Sequence, residues 1–68
     1  MKKSEVRKLK AIIDYWDWVV KDEKSRAKQY RERGDIKRSQ FADGAATAFE
    51  LCVLRLRDFL RENTKEGR

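Results

Sequence analysis

The sequence predicts an all-α fold, an antiparallel two-helix hairpin that dimerises into a four-helix bundle. Apolar residues recur at three- and four-residue spacing along both halves of the 68-residue chain, a pattern typical of amphipathic helices. Proline is absent, and Gly34-Asp35 is the only strong break. A connection this short makes the two helices antiparallel neighbours. Dimerisation follows from the width of the second apolar face, described below.

The first helix is expected over residues 4–33. Ser4 can cap its N-terminus, and Glu5 suits the positive end of the helix dipole. Neither glycine nor proline interrupts the segment. The apolar face consists of Val6, Leu9, Ile13, Trp16, Val20, Ala27 and Tyr30, with Ile12 and Val19 at its edge.

The second helix is expected over residues 36–63, followed by a polar, frayed tail over 64–68, so that residues 1–68 form a single domain. Gly34 suits the left-handed residue just past a helix end, and Asp35 suits the N-cap of the next helix. The apolar positions are Phe41, Ala45, Ala48, Phe49, Cys52, Leu56, Phe59 and Leu60, widened by Ala42, Ala46 and Val53. They span an arc of about 160°, whereas one neighbouring helix covers only about 100°.

The assembly prediction follows from that wide arc. A single hairpin leaves one side of its core in water, and a chain this short is marginally stable without disulfides or a metal. Two hairpins packed face to face would close the core. We expect a homodimer first and a tetramer second, with a monomer docked on a larger partner as the alternative. The expected oligomer core is Leu9, Ile13, Trp16, Val20, Phe49, Cys52, Val53, Leu56, Phe59 and Leu60.

The pairing register follows from the position of the turn. A break at 34–35 places Trp16 near Val53 and Val20 near Phe49. Gly44 lies inside the second helix, where glycine costs about 1 kcal/mol relative to alanine. We therefore expect Gly44 to mark a close helix crossing or to receive a bulky side chain from a second subunit.

A second surface lies outside the core stripe. Trp18 is on the far side of the first helix from Trp16, and Leu51 and Leu54 are off the stripe of the second helix. Exposed apolar patches can mark binding sites, which favours a protein partner here. The alternative is that these residues form the edge of a broad oligomer core or a second interface in a tetramer. The residues expected to bind the partner are Arg7, Lys8, Ala11, Tyr15 and Trp18.

The charge balance favours an alternative function. The chain carries 18 Lys+Arg and 12 Asp+Glu, a formal net charge of +6, and such a field attracts polyanions. The competing interpretation is a solvated face with pairs at i,i+4, such as Asp17 with Lys21. Under the nucleic-acid alternative, the binding residues are Lys21, Lys24, Arg26, Lys28, Arg31, Arg33, Lys37 and Arg38.

Several function classes are excluded by composition and motif. The chain has no histidine and one cysteine, which removes the usual zinc sites and an imidazole base. No Gly-rich phosphate loop or nucleophile elbow is present, so we predict no enzymatic activity, cofactor or metal. Cys52 is expected to be a small buried core residue. No segment approaches the ~20 apolar residues of a membrane span and no signal core follows the basic N-terminus, so we expect a cytoplasmic protein without a membrane partner.

Two resemblances bear on function. In size and topology the predicted hairpin resembles the Rop-type RNA-binding hairpin dimers of plasmids, with no residue motif shared. A second resemblance, to the closing helix of short helical proteins of phages and mobile elements, is carried by the pattern Gly44-x-x-x-Ala48-Phe49-x-x-x-Val53-x-x-Leu56-x-x-Phe59-Leu60. The second resemblance implies a regulator or inhibitor of a phage or mobile element. The leading hypothesis is a non-enzymatic interaction protein whose outer first-helix face binds another macromolecule. The alternatives are a nucleic-acid-binding regulator and a structural or assembly subunit.

Overall fold

The computed structural model describes residues 1–64 and contains two helices, α1 (Lys3–Glu32) and α2 (Ile36–Thr64). The helices pack against each other along their length. The chain forms a rod whose principal extents are 51 × 15 × 12 Å. The predicted all-α hairpin is therefore confirmed. Thr64 belongs to α2, and the predicted frayed tail otherwise lies outside the described residues.

The start of α1 differs from the prediction. The helix begins at Lys3, so Ser4 lies inside the first turn and does not cap it. Instead, the Glu5 carboxylate oxygen Oε1 accepts a hydrogen bond from the backbone N–H of Lys2 at 2.9 Å. A carboxylate is also the side chain that the positive end of the helix dipole favours. The acidic residue, not the serine hydroxyl, therefore stabilises this end of the helix.

The turn is built as predicted. Gly34 has a φ of 83°, the left-handed conformation that favours glycine. The N–H of Gly34 donates to the Arg31 carbonyl at 3.1 Å, and the N–H of Asp35 donates to the Tyr30 carbonyl at 2.8 Å. This hydrogen-bond pair is the Schellman C-cap. The Asp35 carboxylate then accepts from the backbone N–H of Arg38 at 3.2 Å, which caps the start of α2.

The contact between the helices follows a heptad pattern, abcdefg, with a and d positions facing the other helix. Buried Ile13, Val20 and Val53 form the centre of the core. Leu9, Trp16, Phe49, Leu56 and Leu60 pack against this centre, as the predicted register requires. The a positions are Val6, Ile13, Val20 and Ala27 on α1 and Ser39, Ala46, Val53 and Leu60 on α2. The d positions are Leu9, Trp16, Glu23 and Tyr30 on α1 and Ala42, Phe49, Leu56 and Asn63 on α2.

Burial is uneven between the two sets of positions. Most a positions are buried, namely Ile13, Val20, Ala27, Ser39, Ala46 and Val53. Most d positions are only partly buried, namely Leu9, Trp16, Glu23, Tyr30, Phe49, Leu56 and Asn63. The core is therefore closed on the side of the a positions and open on the side of the d positions.

At four residues of α2 the single hairpin differs from what the sequence predicts. Phe41, placed on the core stripe, is 79% exposed, and Cys52, predicted to be buried, is exposed. Both lie beyond the reach of α1 because they occupy c and g positions. Ser39, not predicted as core, is buried, and its Oγ accepts from the Arg31 guanidinium at 3.4 Å. Gly44 is not at a close crossing of α1 and α2, because within the described residues nothing lies within 4 Å of a Cβ built on it; the alternative, a bulky side chain from a second subunit, stays a prediction.

Candidate functional site

One long side of the hairpin is closed by ion pairs between the helices. We call this side the ion-pair flank. Its members occupy e positions and recur every seven residues on both helices. They are Asp17 with Arg57, Lys24 Nζ with Glu50 Oε2 at 3.2 Å, and Arg31 Nη1 with Asp43 Oδ2 at 3.3 Å.

The polarity of these ion pairs reverses once along the ion-pair flank. In the first pair the acid is on α1, and in the next two it is on α2. A slip by one heptad would place Asp17 opposite Glu50, or Lys24 opposite Arg57, which are like-charged pairs. Exposed ion pairs contribute little stability, about 0–1 kcal/mol each, so their main effect is to specify register. The predicted pairing of Asp17 with Lys21 is wrong, because Asp17 is bound by Arg57 instead.

The opposite long side is apolar and open to solvent. Trp16, Phe49, Cys52 and Leu56 line a shallow cleft of about 150 Å³ on this side. The Trp16 and Phe49 rings are 5.2 Å apart between centroids. We call this surface the apolar flank, and it comprises the d and g residues Ile12, Trp16, Val19, Phe49, Cys52, Leu56 and Phe59.

The apolar flank contains side chains that one hairpin leaves uncovered. Ile12 is 49% exposed and Phe59 is 50% exposed, and Cys52 on the same flank is exposed. Cys52 and Phe59 were both predicted for the oligomer core, and α1 of the same chain does not bury either. A continuous apolar surface on a small protein indicates a contact with another molecule.

The apolar flank becomes aromatic and basic near the turn. Glu23, Arg26, Tyr30, Lys37, Arg38, Phe41 and Ala42 line an open cleft of about 370 Å³ there. The Arg38 guanidinium carbon lies 6.0 Å from the centroid of the Tyr30 ring, within the range of a cation–π contact. The turn end of this side therefore differs in chemistry from its centre.

The predicted partner-binding residues lie on the outward face of α1. Trp18 is 60% exposed and Tyr15 is 58% exposed, and Arg7, Lys8 and Ala11 are exposed as well. Tyr15 packs edge-on against Trp16, with 5.3 Å between ring centroids. Tyr15 therefore borders the apolar flank, whereas Trp18 projects from the outward face.

The basic residues around the turn are divided by their ion pairs. Four of the eight predicted nucleic-acid-binding residues pair with acids, namely Lys24 with Glu50, Arg31 with Asp43, Arg26 with Asp22 and Glu23, and Arg38 with Asp35. The other four form no ion pair within residues 1–64, namely Lys21, Lys28, Arg33 and Lys37. About half of the predicted basic surface is therefore neutralised by the chain itself.

No protein-family model, curated protein or solved structure matches this chain. The resemblance to Rop-type dimers therefore rests on size and topology. Within residues 1–64, no group of three or more His, Cys, Asp or Glu side chains is arranged to hold a metal ion. Neither helix, over the same residues, has a stretch long and apolar enough to cross a membrane.

Proposed function

We propose that the protein is a small non-enzymatic interaction protein, a helical-hairpin homodimer that binds another protein through the outward face of α1. The observation that carries the proposal is that the exposed Trp18 lies on a different surface from the exposed apolar side chains of the apolar flank. The apolar flank is broad, as a subunit contact requires. Trp18 projects from the outward face, where it stays accessible after the apolar flank is covered.

The chemistry of the outward face supports protein recognition. A buried tryptophan removes 150–250 Å² of surface from water, so an exposed Trp18 leaves a large gain unrealised. Tryptophan, tyrosine and arginine dominate the energetics of protein interfaces, and the outward face combines Trp18 and Tyr15 with Arg7. An aromatic anchor bordered by basic side chains suits a partner surface with an apolar pocket and an acidic rim.

The proposal is tested by affinity capture from the native host with and without nuclease. The matched variants are Trp18→Ala and Leu54→Ala, because Leu54 is a half-exposed b-position residue on the other helix. We expect wild type and Leu54→Ala to retain the same protein with nuclease present, and Trp18→Ala to lose it. Retention of that protein by Trp18→Ala would contradict the proposal.

Nucleic-acid binding is the second candidate, favoured by the exposed basic residues outside the ion pairs. Lys21 and Lys28 share one side of α1, seven residues apart. Phosphate contacts would make the affinity fall steeply with salt, whereas a Trp18-centred protein contact is much less sensitive. This candidate predicts that nuclease releases the bound material and that Lys21→Ala/Lys28→Ala weakens retention while Trp18→Ala does not.

A further inference from the structure

We infer that the apolar flank is covered by a second copy of this chain lying antiparallel to the first, with the two-fold axis passing close to Cys52. The inference rests on the proposed homodimer and specifies its subunit interface. It is argued from surface area, from the burial pattern of the hairpin, and from the order of residues along the apolar flank.

The exposed area of the chain leaves room for a second copy. The chain exposes 5659 Å², and obligate homodimer interfaces begin at about 2,000 Å² in total, or about 1,000 Å² per partner. Covering one long side of a rod whose principal extents are 51 × 15 × 12 Å removes an area of this order.

The burial pattern selects the side on which the second copy docks. The ion-pair flank covers the a positions and carries charges whose burial would be costly. The apolar flank leaves d positions such as Trp16, Phe49 and Leu56 partly in water. Covering the apolar flank gains hydrophobic burial without desolvating any of the three ion pairs between the helices.

The g residues of α1 match the same g residues of a second copy when the two α1 helices run antiparallel. Its g positions read Glu5, Ile12, Val19 and Arg26. When α1 crosses α1 of the second copy midway along this series, Ile12 lies opposite the partner's Val19. Glu5 then lies opposite the partner's Arg26, so opposite charges flank an apolar centre. Charge complementarity of this kind fixes the register and orientation of an interface.

The order along α2 gives the same axis. Its g positions include Ala45, Cys52 and Phe59, so a crossing at Cys52 places Phe59 opposite the partner's Ala45. A large side chain then meets a small one, and Cys52 lies opposite the partner's Cys52. The crossing point on α1 lies midway between residues 12 and 19, and the register that places Trp16 near Val53 puts this point beside residues 53 and 54 of α2. It is therefore less than two residues from Cys52 along the rod, a distance of at most about 3 Å at 1.5 Å per residue. One two-fold axis therefore serves both helices.

A parallel second copy fits the apolar flank less well. In that orientation α1 faces the partner's α2 at the same height, and the turn ends of both copies meet. Arg33 would lie beside the partner's Arg38, and Arg26 would face the partner's Ala45 instead of a carboxylate. Like charges placed together across an interface are unfavourable, so the antiparallel orientation is preferred.

The side of the contact is tested with a matched pair of charge substitutions. Phe59 on the apolar flank and Leu51 on the outward face of α2 are 50% and 58% exposed. We expect sedimentation equilibrium to show that Phe59→Glu weakens the dimer at least about tenfold, because a carboxylate would be buried there, while Leu51→Glu leaves it unchanged. Circular dichroism checks that each variant remains helical. Equal effects of the two substitutions, or none, would overturn the inference.

The position of the axis is tested by crosslinking, which does not depend on a destabilising variant. A short bis-maleimide is added to the wild type and to the control Cys52→Ser/Leu51→Cys, whose only thiol is also on the surface. We expect the wild type to give a covalent dimer and the control to remain uncrosslinked. A dimer in solution that fails to crosslink through Cys52, or that crosslinks through residue 51, would overturn the inference while leaving the homodimer intact. A monomer at all concentrations would overturn both the inference and the proposed homodimer.

Discussion

Gly34 is the residue on which the hairpin turn depends. Its φ of 83° is costly for a residue with a β-branched side chain. We expect Gly34→Val to lower the free energy of unfolding by about 1 kcal/mol or more, although nothing in the described residues would clash with its Cβ. Urea denaturation measures the loss. Gly34→Asn is the matched control and should lose less, because asparagine tolerates this conformation. An unchanged midpoint for the valine variant would contradict the role of Gly34 as the helix stop.

Substitution of Gly44 is expected to raise the stability of the chain, unlike substitution of Gly34. It lies inside α2, where glycine is less favourable than alanine, and a Cβ at this position meets no described atom within 4 Å. Gly44→Ala should therefore stabilise the chain by about 1 kcal/mol, measured as a higher urea midpoint. A lower midpoint would show that another molecule packs against Gly44 in solution, since the single hairpin leaves the site open.

The exposure of Trp18 in solution tests whether the outward face of α1 is a free surface. Because Trp18 is 60% exposed, we expect Trp18→Ala to change stability by no more than about 0.5 kcal/mol. Acrylamide should quench its fluorescence readily when Trp16→Phe removes the other indole. Slow quenching together with a loss of roughly 3–5 kcal/mol, the range for a buried aromatic, would place Trp18 in an interface between copies and remove the main support for a partner site on the outward face.

The burial of single residues was the least predictable feature. The sequence pattern placed Ile13, Val20 and Val53 in the core, and they are buried. Ser39 was missed because a serine breaks the apolar pattern, and only the three-dimensional arrangement brings the Arg31 guanidinium to its hydroxyl. Glu5 was placed correctly near the helix start, but the hydrogen bond to Lys2 could not be distinguished from a Ser4 cap by residue type alone.

At the scale of the helices, the wide apolar arc of α2 divides between two neighbours. One part, with Ala42, Ala46 and Val53, faces α1 and is buried. The other part, with Cys52 and Phe59, lies on the apolar flank. The sequence shows the total width of the arc but not where α1 is centred on it. The structure shows that centre: the a positions are buried, and ion pairs between e positions close that side.

The ion pairs between the helices give a testable prediction about helix register. Arg57→Asp places two carboxylates together at Asp17 and should lower the free energy of unfolding by about 0.5–1 kcal/mol. Adding Asp17→Arg restores an opposite-charge pair and should recover most of that loss. A double-mutant cycle in urea measures the coupling. A coupling energy of zero would mean that the contact between Asp17 and Arg57 does not contribute to register in solution.

The whole molecule is a rod with one closed and one open long side. Length, composition and spacing were sufficient to predict two antiparallel helices and a short turn, because these depend on local patterns and on a single glycine. They were not sufficient to divide the apolar residues between the hairpin core and the apolar flank, because that division depends on how the two helices are rotated about their axes. The structure provides that rotation through the burial of the a positions.

The central claim is that the apolar flank is an interface between two copies, and sedimentation equilibrium of the wild-type chain tests it most directly. The sample is measured from low to high micromolar concentration, with helicity recorded at each concentration by circular dichroism. We predict a folded species of twice the 8.2 kDa chain mass, with helicity lost as the dimer dissociates on dilution, because a single hairpin leaves this flank in water. A fully helical species of 8.2 kDa throughout the range would contradict the claim.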